Sequence, residues 1–235
     1  KRRTFILICM KSMIHVKLNG VFILCIIYST LFSQNYMSFE EKALPDFNVE
    51  NGVVLKFCTN QPDYKYLDKA GKEFYYMVNY SRSNPREFLK KVIAPIVSLY
   101  PQLKGDYFTS LKADLFNADS LPLFKLDEAL IQMAENHSRD ITSHSDKPSH
   151  TSTNGDTFAD RFKRNGFKRC GGENISYGSD NPAFLLTLLY LDVGVPSLGH
   201  RKALLNPNFT ETGIGSSFFK NGSIFLVEDF ACSQN

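Results

Sequence analysis

The sequence predicts an α+β fold in which one small antiparallel sheet carries helices packed on its faces. Three observations lead there. Leu126, Ala129, Leu130, Met133, Ala134, His137 and Ile141 recur three and four residues apart, the period of an amphipathic helix. Thr212 to Lys220 and Ser223 to Ala231 are strand-like runs joined by Asn221-Gly222, the strongest short hairpin signal. Ala183 to about Leu191 is apolar nearly all round, so it reads as a helix buried on every side.

Length and composition bound the rest. A chain of 235 residues holds one large domain or two small ones, and its 20 Phe and 11 Tyr supply an ample core without any Trp. The net charge of +3 is small and the basic residues are scattered, which excludes the basic face of a nucleic-acid binder.

Residues 1–34 read as a secretory signal peptide. Lys1, Arg2, Arg3, Lys11 and Lys17 precede the apolar run Val21 to Phe32, and polar Ser33-Gln34-Asn35 follows it. The run is about 12 residues long, short of the roughly 20 a membrane-spanning helix needs. Lys1 is not Met, which makes Met10 or Met13 a candidate initiator. Cys25 after Phe22-Ile23-Leu24 leaves bacterial lipidation as an alternative to plain cleavage, and with it a membrane link through a lipid anchor.

Residues 35–71 read as an N-terminal extension, punctuated by Pro45, Gly52, Pro62 and Gly71, with a strand-like run at Val53 to Phe57. The main domain is expected over 72–235. Its first helix carries Phe74, Met77, Val78 and Tyr80. Asn84 with Pro85 reads as the N-cap and first residue of a second helix, whose apolar stripe runs from Phe88 to Tyr100 with a kink at Pro95. Between Pro101 and Pro122 the chain reads as a surface loop. In the helix that follows, Asp127 and Glu128 occupy the first turn, where they favour the helix dipole. His137 falls on its apolar face and reads as a core histidine satisfied by a hydrogen bond.

Ser143 to Asn154 is a polar loop holding His144 and His150. Thr157 to Asn165 is a short helix with Phe158 and Phe162 inward, closed by Gly166. Cys170 to Gly178 supplies a strand, and Asn181-Pro182 opens the buried helix. Gly194, Pro196 and Gly199 break the chain before His200. Outside the leader remain Cys58, Cys170 and Cys232, enough for one disulfide and one free thiol. Cys170 with Cys232 is the better pair, since both should flank the same sheet; Cys58 with either is the alternative.

Several of these pieces come in a family's order. Asn79-x-x-Arg82-x-x-Pro85, Ala134-x-x-His137-Ser138-x-Asp140, Gly155 to Arg161 with Gly166, Gly172-Glu173-Asn174-Ile175, and Gly199-His200-Arg201 with Leu204-Leu205-Asn206-Pro207 and Gly213-Ile214-Gly215 resemble the CAP superfamily. That group holds cysteine-rich secretory proteins, insect venom antigens and plant pathogenesis-related proteins. The resemblance covers about Lys72 to Cys232 and is nearest to bacterial exported members. The bias to Lys, Asn, Ile and Phe suggests a spirochaetal outer-surface protein. The resemblance implies an α-β-α sandwich and a cleft of two histidines and two acids: His150 and His200, Glu173, and Asp192 where members usually carry Glu.

Two imidazoles can bind a divalent metal such as Zn²⁺ through nitrogen and leave positions for water. Glu173 could then act as a base in a metal-dependent hydrolase, but no H-E-x-x-H helix, serine elbow or free cysteine nucleophile accompanies it. Glu173 and Asp192 equally suit orienting the imidazoles. The expectation is an exported or surface-displayed binding module, leaning non-enzymatic, whose partner is a protein, lipid or host molecule. The alternatives are that hydrolase or a lipid or sterol carrier with an apolar groove between helices.

Overall fold

The computed structural model describes residues 3–7, 37–40, 42–47 and 49–234. The apolar run Val21 to Phe32, with Cys25 and the proposed cleavage region, lies outside the described residues.

Strand β1 (Arg3–Leu7) pairs antiparallel with β2 (Met37–Phe39). Helix α1 (Gly52–Thr59) stands where Val53 to Phe57 suggested a strand. The local reason is Asn51, whose side chain accepts hydrogen bonds from the Val53 and Val54 amides and so nucleates a helix. Val54 and Cys58, one helical turn apart, face inward while Val53 and Leu55 face solvent. A 3₁₀ turn (Pro62–Tyr66) leads to α2 (Lys69–Ser83), capped by the Asp68 carboxylate on the Gly71 amide. Gly71 thus lies inside a helix, and Val49, Val54, Cys58 and Leu67 share one core with Phe74 and Val78 of α2.

Helix α3 (Pro85–Phe88), a π turn (Leu89–Ile93) and α4 (Ala94–Leu99) form one run. The Ala94 amide reaches back to Leu89, a widened turn that accommodates the ring of Pro95 where the sequence suggested a kink. Asn84 does not cap α3 as expected: its side-chain amide turns back to the Tyr80 carbonyl, 3.3 Å away. The expected surface loop 101–122 contains α5 (Asp106–Asn117), which buries Leu111 and Leu115, four residues apart. Its mixed sequence hides a stripe only two residues wide.

Strand β3 (Lys125–Leu126) precedes α6 (Glu128–His144), and α7 (Phe158–Arg164) precedes β4 (Gly171–Gly178). Then come α8 (Pro182–Leu191), α9 (Gly199–Leu204) and the hairpin β5 (Glu211–Phe218) and β6 (Ile224–Ala231). Gly222 closes the hairpin at φ +81°, which Asn-Gly at the turn foreshadowed. The sheet order is β2-β1-β4-β6-β5-β3. One pairing departs from the antiparallel expectation: β3 runs parallel to β5, because the chain entering α6 lies along that edge, with the Lys125 and Asp127 amides bonded to the carbonyls of Thr210 and Thr212.

The layers are those of an α-β-α sandwich. Helix α6 packs on β5 and β6 on one face, with Ile175, Phe225 and Val227 beneath it. The opposite face, with Ile214, Leu226 and Phe230, packs in the core that holds α2 and α8. Arg82 and Arg201 tie the helices together from inside. Arg82 donates to the carbonyls of Pro122, Leu204, Asn206 and Phe209 and lies 3.7 Å over the Phe124 ring. Arg201 donates to the carbonyls of Tyr190, Leu191 and Tyr107 and to Asp114. Cys170 and Cys232 form the disulfide, Cα atoms 5.4 Å apart, joining the start of β4 to the end of β6. Cys58 is a free, buried thiol, its pKa pushed up to about 11 by burial against the opposing Asn79 amide.

Candidate functional site

The loop between α6 and α7 is folded by its own polar residues. Asp140 on α6 accepts from both the amide and hydroxyl of Thr153. Thr157 and Asp160 form a reciprocal capping box that starts α7. That start aims Arg161 back into the loop, where Nη1 donates to the His150 carbonyl (3.0 Å), Ser152 Oγ (3.1 Å) and the Asp156 carbonyl (3.2 Å). The other guanidinium nitrogen, Nη2, donates to Glu173 Oε2.

Glu173 comes from β4 and is buried. Its second oxygen, Oε1, accepts from His150 Nδ1 at 2.7 Å. His137 lies 3.9 Å from the first. Burial would raise the pKa of Glu173. The His150 hydrogen bond and the charges of His150, Arg161 and His137 outweigh it and hold the carboxyl below its ordinary range. His137 is satisfied as the sequence suggested, Nε2 donating to the Ser149 carbonyl (2.8 Å) and Nδ1 near Ser152 Oγ (3.1 Å). Its pKa is lowered, chiefly by burial and against the pull of Glu173.

The second pair forms at the end of α8. Asp192 is its C-cap at φ +54°, a left-handed conformation aspartate tolerates better than most residues. Oδ1 accepts from His200 Nδ1 at 2.5 Å, and Oδ2 accepts the Arg201 amide at 2.9 Å. Asp192, which the family resemblance offered as the second acid, is thus hydrogen-bonded to His200.

The structure thus sorts the predicted site residues into two imidazole–carboxylate pairs, His150–Glu173 and His200–Asp192. An ionised carboxylate only accepts, so each Nδ1 is the donor and Nε2 is the ring nitrogen left over. Both Nε2 atoms are buried and have no hydrogen-bond partner. Among the described residues no three His, Cys, Asp or Glu side chains converge as metal ligands.

Two residues of the site were not assigned from sequence. Arg161 stood inside a matched segment without a role. Asp229 pairs directly across from Glu173 in the β4–β6 register and is fully buried, its carboxyl beside that of Glu173. Its pKa is pushed well up, first by burial and then by the Glu173 charge. The signal was legible: Glu228 and Asp229 are adjacent acids inside an apolar strand, so one must lie on each buried face.

A family model decides the relationship: that of CAP, the cysteine-rich secretory protein family, matches residues 75–230. The chain belongs to the CAP family. It is 32% identical over 120 residues to the uncharacterized protein YkwD of Bacillus subtilis (strain 168), an alignment covering 49% of this chain and 44% of YkwD. Among solved structures it is similar to an extracellular protein containing an SCP domain from Bacillus anthracis str. Ames. That match has 22% identity and a TM-score of 0.45, over 73% of this chain and 44% of the other. It is also similar to an outer surface protein from Borrelia burgdorferi (17% identity, TM-score 0.41, 60% of this chain and 92% of the other). A third is Schistosoma mansoni venom allergen-like protein 4 (12%, TM-score 0.43, 72% and 92%). The chain spans under half the length of YkwD and of the Bacillus anthracis protein. The two imidazole–carboxylate pairs lie within the CAP segment.

Proposed function

We propose that this chain is an exported CAP-family binding module, displayed at a cell surface or released, whose two imidazole–carboxylate pairs hold a divalent cation such as Zn²⁺. The observation that carries the metal reading is the pair of buried, unpartnered Nε2 atoms on rings already oriented through Nδ1. A carboxylate on the far nitrogen is the usual support of a metal-bound histidine. His150 and His200 would be the ligands, and Glu173 and Asp192 would orient them. With two protein ligands the site is open, and water would complete it. Export is supported by the basic lead and apolar run of the sequence and by the Cys170–Cys232 disulfide, since such bonds persist in oxidising compartments. Among the described residues no helix is long and apolar enough to cross a membrane.

Binding is favoured over hydrolysis because Glu173 is a poor base. Both its oxygens are engaged, by His150 and Arg161, and its pKa is lowered. Titration calorimetry with Zn²⁺ tests the reading. Wild type should bind, His150→Ala and His200→Ala should each lose most of the affinity, and Glu173→Gln should lose about 10-fold or more. Absence of binding, or binding indifferent to both histidines, removes the metal site and the hydrolase with it.

A second reading rests on a different observation. An open pocket of about 500 Å³ lies between α2 and the first turn of α8, lined by Phe47, Tyr64, Tyr76, Met77 and Pro182, with Asp46, Lys72, Glu73 and Asn181 also on its walls. Its size, aromatic and aliphatic walls and the Lys72 ammonium beside them suit an amphipathic, lipid-like ligand. Extraction of bound lipid from purified protein, or uptake of a fluorescent fatty acid, would support it; neither would remove it.

A further inference from the structure

Strand β6 carries two adjacent acids, and the pleat sends one to each face of the sheet. Glu228 turns toward the core of α2 and α8, and Asp229 toward α6. On that second face Asp229 stands directly opposite Glu173 of β4, the separation at which cross-strand side chains touch. Both are buried. The strand neighbours of Asp229 offer it nothing polar. Val227 and Ala231 lie two residues away along β6, and the opposing residue of β5 is Gly213, which has no side chain. The charged and titratable groups around the pair are Arg161 from α7, His150 from the loop and His137 from α6, with Glu228 acting from the far side of the sheet.

Two carboxyls thus meet with one guanidinium between them. The Nη atoms of Arg161 are spent on Glu173, the His150 and Asp156 carbonyls and Ser152. A second ionised carboxylate would lie buried against the first with a single guanidinium to offset both, and like charges in one site do not both persist. One proton shared by the pair removes the conflict, because the two carboxyls then carry a single negative charge that Arg161 balances. The proton belongs on Asp229, since Glu173 is the acid that receives the Arg161 and His150 donors. Burial first, then the Glu173 charge with Glu228 adding to it, push the Asp229 pKa the same way, against the pull of Arg161. A carboxylate has about four lone-pair sites, so Glu173 accommodates a third donor beside those two.

We infer that Asp229 is a neutral acid that donates its proton to Glu173, and that it is thereby the positioning residue of the His150–Glu173 pair. Asp229 acts on His150 only through Glu173. The third hydrogen bond fixes the rotation of the Glu173 carboxylate, which sets the direction in which Oε1 holds His150 Nδ1 and hence where Nε2 points. The share of Asp229 in cation binding rests on the metal reading; the shared proton does not.

Carbon magnetic resonance of the full chain, labelled at the aspartate carboxyls, reads the protonation state. At about pH 6, well above the ordinary aspartate range, one resonance should stand at the protonated position, and Asp229→Asn should delete that resonance. The Nδ1 proton of His150, observed through a nitrogen-labelled imidazole, reads the positioning. Asp229→Leu, similar in shape but without a donor, should lose that proton to exchange with water and bind Zn²⁺ about 10-fold or more weakly. Asp229→Asn, whose amide still donates, should restore both. An ionised Asp229 in wild type, or an Asn variant that falls as far as the Leu variant, overturns the inference. So does a folded Leu variant that keeps the His150 proton. If the Leu variant does not fold, the wild-type and Asn spectra decide by themselves. If wild type binds no Zn²⁺, the metal reading falls, and the carboxyl and imidazole spectra still decide for or against Asp229.

Discussion

Glu173, Glu228 and Asp229 are buried carboxyls on two neighbouring strands, and they titrate in opposite directions. Glu173 is clasped by Arg161 and His150 and held ionised, so its contribution to stability is present above the unfolded carboxylate range and is lost as pH falls through its lowered native value. Glu228 lies on the other sheet face, its carboxyl beside the Asn174 amide, and burial pushes its pKa up to about 8, against that amide and the Arg82 charge. Its contribution is fully present below the unfolded value and disappears as pH rises to about 8. The Glu228 contribution should therefore decline between pH 5 and 8, and Glu228→Gln, which keeps the shape without the charge, should remove that component and leave those of Asp229 and His137. The ceiling on the effect is ~5 kcal/mol at one unit per ~1.4 kcal/mol. Urea midpoints of both proteins across that range check it; a parallel decline in the variant would remove Glu228 as the cause. His150, His200 and Glu173 stood out in the sequence because each lies beside glycine or in a polar break, whereas Asp192 was reached only through the family resemblance. Arg161 did not stand out, because an arginine in a basic helix end looks solvated until the fold turns it inward.

The elements with strong periods were also legible, and those that failed did so for local reasons. Helix α6 and the β5–β6 hairpin stand close to where their patterns put them. Helix α1 was hidden because Val53 to Phe57 has the composition of a strand, and one asparagine cap decided otherwise. Helix α5 was hidden because it buries only a narrow stripe. Where α6 crosses β5 the fit depends on two missing side chains. A Cβ at Gly213 would collide with the backbone of Leu130 and Ile131, and one at Gly215 with that of Ala134 and Glu135. Because the obstruction is backbone, no rotamer change relieves it. Gly213→Ala and Gly215→Ala should each destabilise by about 1–3 kcal/mol through overpacking, beyond the propensity gain of alanine in a strand. Chemical denaturation measures this, and a neutral outcome at both positions would mean that α6 can ride outward at little cost. The helix carries His137, so the same outward shift would loosen the loop that presents His150.

At the scale of the whole molecule, the sandwich is joined at one end by a covalent bond as well as by the sheet. β4 and β6 already pair along eight residues, from Gly171–Ala231 to Gly178–Ile224. Just beyond that ladder the Cys232 amide donates to the Cys170 carbonyl, and the disulfide closes a loop with a sequence separation of 62. That loop contains Glu173, Asp192 and His200, so the bond constrains the segment that supplies most of the candidate site. Choosing this pair over one with Cys58 was possible from sequence because both cysteines flank strand patterns, whereas the burial of Cys58 inside α1 depended on a helix the sequence disguised. Loop-closure entropy assigns a bridge of this span about 4 kcal/mol, and engineered losses commonly fall at about 2–5 kcal/mol. Since the β4–β6 ladder should survive reduction, Cys170→Ser with Cys232→Ser is expected to fold and to lose about 3 kcal/mol. The change should appear as a lower urea midpoint with a retained far-ultraviolet spectrum. Cys58 acts as an internal control: being buried with a raised pKa, it should resist alkylation in the folded protein until denaturant is added. Equal midpoints for the double variant and wild type would show that the sheet alone fixes this end of the sandwich.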